Sequence, residues 1–230
     1  VTKLDGSPYK VFSPFYKNGC LSKEDHIRDL YPIDKSINFC KKPLFEQVRT
    51  LDELSLLPDV SWHNDIIKNW NIGEKGAQKK IKQVVSRELK NYKKGRDFPS
   101  FETTSELSPH IHFGEISPHQ IWFELKEANI KNKDDLHHYQ SELGWREFSY
   151  YLLFHWPTLP KIPFQKKFEK FKWLEDNQGL LSWQKGETGY PIIDAGMRQL
   201  WQTGFMHNRV RMIVGSFLVK NQLIDWRQGQ

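Results

Sequence analysis

Gly73-Glu74-Lys75-Gly76-Ala77-Gln78-Lys79-Lys80-Ile81-Lys82-Gln83-Val84-Val85-Ser86-Arg87-Glu88-Leu89-Lys90-Asn91-Tyr92 is where the chain turns helical. Ala77, Ile81, Val84, Val85, Leu89 and Tyr92 recur at i, i+4, i+7, i+8, i+12 and i+15, a spacing that lines one face of an α-helix, with lysines opposite. Arg96-Asp97-Phe98-Pro99 ends the pattern. Ser108-Pro109 and Ser117-Pro118 then each read as an N-cap serine followed by proline at the first helical position. The second opens a helix through Ile121, Trp122 and Leu125, and another helix runs from about Asp134 to His155, closed by Pro157. Tyr190-Pro191 starts the next and Gly204 stops it; a further helix spans His207 to about Lys220, and Asp225 caps a last one. With no alternating apolar–polar run and no internal repeat, residues 73 onward are expected to be all-α.

Upstream, residues 1 to about 60 read as irregular, because Pro8, Pro14, Pro32, Pro43 and Pro58 recur too often for long helices. Tyr9 to Phe12 reads as the end of a strand. Residues 1–72 are therefore expected to be a linker that begins in the middle of something, and residues 73–230 the helical domain.

Composition narrows the class. A hydrophobic content of 38% and a charged content of 27% are ordinary for a soluble globular protein. No apolar run approaches the roughly 18 residues of a membrane span, and Val1 to Lys10 has no basic stretch leading into an apolar one. Cys20 and Cys40 are the only cysteines, too few for a disulfide framework, a four-cysteine zinc site or a four-thiolate iron–sulfur cluster, so no metal site is expected and a reduced, cytoplasmic chain is the default. Charge is more telling, because it is uneven: the net charge is +6, yet Lys75 to Arg96 carries nine Lys or Arg against Glu88 alone. Such a stretch suits a phosphate-rich partner, and also suits a merely solvated lysine face.

Three groups of residues carry candidate chemistry. Within the helix at 134–155, Glu142, Trp145, Arg146 and Ser149 share one stripe at i, i+3, i+4 and i+7. A Glu–Arg pair at i,i+4 is also an ordinary surface pair worth about 0.2–0.5 kcal/mol, but an indole between the charges points to a cleft for a flat, polar ligand. In the helix at 207–220, Val210, Ile213, Val214, Phe217 and Leu218 form the expected core face, while Asn208, Arg211, Met212 and Gly215 form another. Arg209 and Arg211 on this helix suggest a polyanion or a bound phosphate, and Gly215 suggests a close ligand approach. Between them, Thr104-Ser105-Glu106-Leu107-Ser108-Pro109 offers hydroxyls and free N–H groups at a helix start, suited to a diphosphate or to plain capping.

The strings Arg96-Asp97-Phe98-Pro99, Thr104-Ser105-x-Leu107-Ser108-Pro109, Glu142-Leu143-x-Trp145-Arg146-Glu147-Phe148, Thr188-Gly189-Tyr190-Pro191-x-x-Asp194-Ala195-x-Met197-Arg198-Gln199-Leu200, Met206-His207-Asn208-Arg209-x-Arg211-Met212 and Asp225-Trp226-Arg227 occur in this order. Together they resemble the photolyase and cryptochrome family, in particular its class I members that repair cyclobutane pyrimidine dimers. The resemblance implies a multi-helical FAD-binding domain, and light-driven dimer repair in UV-damaged DNA by electron transfer from excited reduced FAD. A cryptochrome photoreceptor is the alternative, and a non-enzymatic helical nucleic-acid-binding module a more distant one.

Residue by residue, the resemblance places Tyr92, Thr104, Ser105, Glu106, Leu107 and Ser108 around the ribityl-diphosphate part of FAD. Glu142 and Arg146 match a flavin-side pair, Glu142 also facing the lesion. Trp145 matches the indole on which a flipped-out dimer stacks, and Met212 a methionine typical of dimer repair, so Glu142, Trp145 and Met212 are the expected catalytic residues. Asn208 and Arg211 match flavin contacts, and Phe205 stands where tryptophan is common. Glu142, Trp145, Arg146, Ser149, Asn208, Arg209 and Arg211 are the expected DNA contacts. Trp173 and Trp226 match the outer and middle members of a tryptophan electron relay. The family's α/β antenna domain, with a folate or deazaflavin chromophore, is expected upstream of the linker. Its Asp-Gly-Asp string and innermost relay tryptophan are expected beyond Gln230, leaving the domain incomplete here. A monomer is expected.

Overall fold

The computed structural model describes residues 1–22, 27–32, 36, 38, 50, 52–56, 59–128 and 130–230, for Glu88 the backbone alone. Cys40, Pro43 and Pro58 lie outside the described residues. Every regular element among the described residues is helical: α1 (Phe12–Pro14), α2 (His63–Lys68), α3 (Glu74–Gln83), α4 (Tyr92–Gly95), α5 (Ser108–His112), α6 (Pro118–Glu127), α7 (Lys133–His155), α8 (Asn177–Lys185), α9 (Pro191–Thr203) and α10 (Asn208–Ser216). The all-α expectation holds. No helix among the described residues is long and apolar enough to cross a membrane.

The amphipathic stretch that opens the domain buries the expected residues, Val85 only in part, in a different backbone. Ala77, Ile81, Val84, Leu89 and Tyr92 are all buried, but α3 stops at Gln83. A π-helical turn, Val84–Glu88, follows, and the Leu89 N–H donates to the Val84 carbonyl at 3.0 Å, so Leu89 returns to the face of Val84. Asn91 then takes a left-handed conformation, φ 61°, and α4 starts afresh at Tyr92. The break is held by Asp135, whose buried carboxylate accepts the N–H groups of Asn91 (3.1 Å) and Lys93 (2.8 Å).

Two apolar cores share no residue. Ala77, Ile81, Val84, Leu107, Ile116, Ile121, Leu125 and Leu143 belong to the first, which joins α3, α5, α6 and α7. Trp183, Ile193, Met197, Val210, Val214, Leu218 and Ile224 belong to the second, which joins α8, α9 and α10. Each fully buried aliphatic side chain contributes about 1.5–3 kcal/mol relative to exposure. A smaller cluster of Tyr9, Phe15 and Phe148 seats the N-terminal segment on α7. Here a Cβ on Gly144 would stand 2.5 Å from the Tyr16 ring, so only glycine lets that ring lie on the helix.

Several boundaries fall as read. Ser117 caps α6 in a reciprocal box with Gln120, at 3.1 and 2.7 Å. Gly204 ends α9 at φ 70°. Asp225 accepts from the Arg227 N–H at 3.0 Å and caps a 3-10 turn, Trp226–Gly229.

Others do not. Ser108 is the first residue of α5 and Leu107 stands at the cap without a side-chain bond, because Glu106 is left-handed (φ 48°) and brings the chain in one residue early. Residues 12–14 form a helical turn followed by a π-helical turn, Phe15–Cys20, so Tyr9 to Phe12 does not end a strand. The last long helix is α10 followed by a π-helical turn, Phe217–Asn221. Ile213 leaves the core face and is 43% exposed, while Val210, Val214 and Leu218 are buried in the second core.

Candidate functional site

A cleft of about 430 Å³ opens where α4, α5 and α7 meet, lined by Tyr92, Ser105, Leu107, Ser108, Ile111, Tyr139, Glu142, Leu143, Arg146 and Tyr150 among others. The Asp135 bonds place Tyr92 at the start of α4, where its ring meets Tyr139 edge-on at 5.0 Å. Burial pushes the Tyr92 hydroxyl up to about 12, against the pull of the Arg96 guanidinium, so it remains a neutral donor. Arg96 lies over the Tyr92 ring at 5.6 Å and forms an ion pair with Glu142. Beside the cleft, Glu106 takes the Lys80 ammonium at 3.0 Å. That pair and the left-handed turn hold the loop from which Ser105, Leu107 and Ser108 reach the cleft.

Six residues singled out from sequence thus converge: Tyr92, Ser105, Leu107, Ser108, Glu142 and Arg146. Thr104 and Glu106 stand on the same loop without lining the cleft. The stripe on α7 is not one surface. Trp145 stacks on Phe12, ring centroids 3.8 Å apart at 10°, while the Ser149 hydroxyl turns back to the Trp145 carbonyl at 3.0 Å. Arg146 donates to Glu147 at 2.8 Å and stacks on Tyr150 at 4.6 Å.

The second face lies on α10, anchored by buried Val210 and Val214. Asn208, Arg211, Met212 and Gly215 are all exposed there. A Cβ on Gly215 would meet nothing within 4 Å among the described residues, so no packing there demands the glycine and the face is open at that point. Arg209 does not face outward alone: its Nε–H and Nη2–H both donate to Asp97 Oδ1, at 2.8 and 2.6 Å. His207 caps the helix, its Nδ1 accepting the Arg209 N–H at 3.2 Å, while its Nε2 is buried without a hydrogen-bond partner among the described residues. Phe205 is half-buried against Trp70, 6.5 Å between rings.

Trp173 lies half-buried beside Phe171 in a segment without regular secondary structure, and the Leu174 N–H donates to the Leu223 carbonyl at 2.8 Å, joining that segment to the one leading into Trp226. Helical periodicity did not single out Phe12, Arg96, Asp97, Tyr139 or His207. Arg96 and Asp97 stand in a quoted string, but partners 46 and 112 residues away leave no periodic trace.

A family model described as the FAD binding domain of DNA photolyase matches residues 139–230. Two relatives called deoxyribodipyrimidine photo-lyase are similar over essentially the whole chain. The one from Agrobacterium fabrum is 43% identical, covering 98% of this chain and 47% of its own length. The one from Alkalihalophilus pseudofirmus is 37% identical, with coverages of 100% and 47%. The crystal structure of a bacterial class III photolyase from Agrobacterium tumefaciens superposes with a TM-score of 0.90 at 42% identity, covering 100% of this chain and 47% of that one. Over essentially its whole length this chain is similar to members of the photolyase/cryptochrome family. It spans about half the length of the curated relatives it matches. Cryptochrome-1 of Arabidopsis thaliana is also similar, 31% identical over 100% of this chain and 34% of its own.

Within that family frame, the donor set around the cleft fits a flavin dinucleotide. Leu107, Ile111 and Leu143 offer an apolar floor for a flat ring, with the Ser105 and Ser108 hydroxyls and the Arg146 guanidinium alongside for polar and anionic parts. The narrower class I assignment finds no support in the superposition, whose solved relative is named class III.

Proposed function

We propose that the full-length protein repairs cyclobutane pyrimidine dimers in UV-damaged DNA, driven by light, as a carbon–carbon lyase. The observation that carries this reading is the convergence of Tyr92, Ser105, Leu107, Ser108, Glu142 and Arg146 on one cleft. The similarity to named photo-lyases supports it. Tyr92, Ser105, Leu107, Ser108 and Arg146 would hold FAD, with Thr104 and Glu106 shaping the loop, and Asn208 and Arg211 would reach it from α10 beside Phe205. When bound and reduced, FAD supplies the photoexcited electron that opens the cyclobutane ring and returns, so no net redox change results.

The chain's own residues bind and orient. Glu142, held by Arg96, presents a carboxylate at the cleft; Trp145 offers an indole face to a dimer extruded from the duplex; Met212 adds an apolar contact. Extrusion is cheap at a lesion that already stacks poorly. Ser149 and Arg209 would lie at the DNA-facing rim, and Trp173 and Trp226 would pass electrons inward. The antenna chromophore, folate or deazaflavin, belongs to the family's α/β domain rather than to these helices. Repair as a monomer by a dimer-directed class of the family completes the reading, with Trp145 and Met212 favouring repair over cryptochrome-type signalling.

The test is to purify the full-length protein, record its flavin absorbance, and illuminate it in the reduced state with dimer-containing oligonucleotide. Light-dependent loss of dimers is expected. Bound flavin without dimer loss would indicate a photoreceptor, and no flavin at all a DNA-binding module.

A further inference from the structure

We propose that Asp97 is a positioning residue of this site, holding the Arg209 guanidinium across the gap between the two cores and, through it, the Met212 thioether. The inference rests on the repair reading above, which makes α10 a wall of the site.

The two walls are anchored separately. Glu142 and Arg146 stand on α7, fixed to the first core through Leu143. Asn208, Arg211 and Met212 stand on α10, fixed to the second core through Val210 and Val214. Because the two cores share no residue, apolar packing within each leaves the walls' relative placement to other contacts. The dipeptide Arg96-Asp97 supplies one on each side. Arg96 ion-pairs with Glu142 on α7. Asp97 Oδ1 accepts the Nε–H and Nη2–H of Arg209 at 2.8 and 2.6 Å, across 112 residues of chain.

A guanidinium is a rigid planar fork, so fixing two of its N–H groups sets the direction of the third nitrogen. That nitrogen, Nη1, lies 3.6 Å from Met212 Sδ. Asp97 thus orients Arg209, and Arg209 meets the exposed methionine of the candidate site. The Arg209 and Asp97 side chains are 42% and 48% exposed. Ion pairs so open to water contribute little to folding, so stability alone does not account for this pairing.

The experiment uses the full-length, flavin-loaded protein with Asp97→Asn and Asp97→Glu. Three quantities are compared with wild type: the thermal midpoint, kcat and KM for a dimer-containing oligonucleotide, and the NMR signals of the Met212 ε-methyl and the Arg209 Nε–H. Asp97→Asn should leave the midpoint near wild type, lower kcat by roughly tenfold to a hundredfold, as a misplacement of about 1 Å does, and shift both NMR signals. Asp97→Glu, which keeps the carboxylate, should recover most of kcat. The proposal is overturned by wild-type kcat in Asp97→Asn, by a loss confined to KM and shared with undamaged DNA, or by a kcat loss that merely follows a fall in the midpoint. A wild-type protein without light-driven repair would refute the functional reading alone. The NMR signals would then decide the clasp, unchanged signals in Asp97→Asn refuting it.

Discussion

The indole of Trp145 lies flat against the ring of Phe12, 3.8 Å between centroids and 10° from parallel, while Trp145 stays 46% exposed. Phe12 is itself stacked on Tyr16, 5.3 Å between centroids at 13°. An aromatic ladder from the N-terminal segment therefore braces the residue that the family resemblance assigns to lesion stacking. An exposed indole held on one side keeps its orientation without losing its other face.

Trp145→Ala should weaken binding to dimer-containing DNA by about 1–3 kcal/mol, the value of one base–aromatic stack, and spare undamaged DNA. Phe12→Ala should weaken the same preference less, because it frees the indole without removing it. Fluorescence anisotropy with both DNAs checks this. Equal losses on the two would mean that Trp145 serves packing alone.

Reversing Lys79, Lys82 and Lys90 to Glu tests the basic face. These three are exposed, whereas Lys80 and Lys93 are already paired with Glu106 and Asp134 at 3.0 and 3.1 Å. Each phosphate contact adds about 0.9 to the slope of log affinity against log salt, so the slope should fall by about 2 to 3 for damaged and undamaged DNA alike. An unchanged slope would mean that this face is only solvated.

Asp135 should matter more for stability than any exposed charge. It is buried and accepts from two backbone N–H groups and from the Asn132 amide at 2.6 Å. Asp135→Ala leaves those three donors without an acceptor, at about 1–3 kcal/mol each, so a loss of at least about 3 kcal/mol is expected in urea unfolding. Asp135→Asn keeps one acceptor oxygen and should lose less. The left-handed turn at Asn91 should loosen with it, displacing Tyr92 from the cleft.

Mild acid should destabilise the fold through histidine. Burial first, then the charges of Arg96 and Arg209, hold His207 below its ordinary 6.5, against the pull of Asp97. Burial and Arg28 do the same to His119, against Glu147. A base depressed in the folded state is protonated first in the unfolded chain. Its contribution is thus complete above 6.5 and is lost as pH falls from about 6.5 towards the lower folded value. The carboxylates of Asp97, Glu115, Asp194 and Asp225, held below their ordinary 3.8–4.5, lose their contributions only in stronger acid. Thermal midpoints should therefore decline between pH 6.5 and 5, and His207→Gln with His119→Gln should flatten the decline. A double variant with the wild-type slope would contradict this.

From Gly73 onward, element type and most of the buried positions were legible in the sequence, because both follow from local rules. Ala77, Ile81, Val84, Leu89 and Tyr92 announce their burial by spacing, Ser117 its cap with Gln120, and Gly204 its stop, each within a few residues along the chain. The likeness to the photolyase/cryptochrome family was legible too, since the strings that carry it stand in order along the chain. Tertiary structure alone decided how the backbone delivers those residues. The left-handed Asn91 and the fresh helix start at Tyr92 depend on Asp135, more than 40 residues downstream, whose carboxylate accepts the N–H groups of Asn91 and Lys93. It also decided which charges are spent: Glu142 on Arg96, Glu106 on Lys80 and Arg209 on Asp97. Periodicity reports the face on which a side chain lies. The partner it finds there depends on helices brought together by two separate cores, and no local pattern encodes that distance.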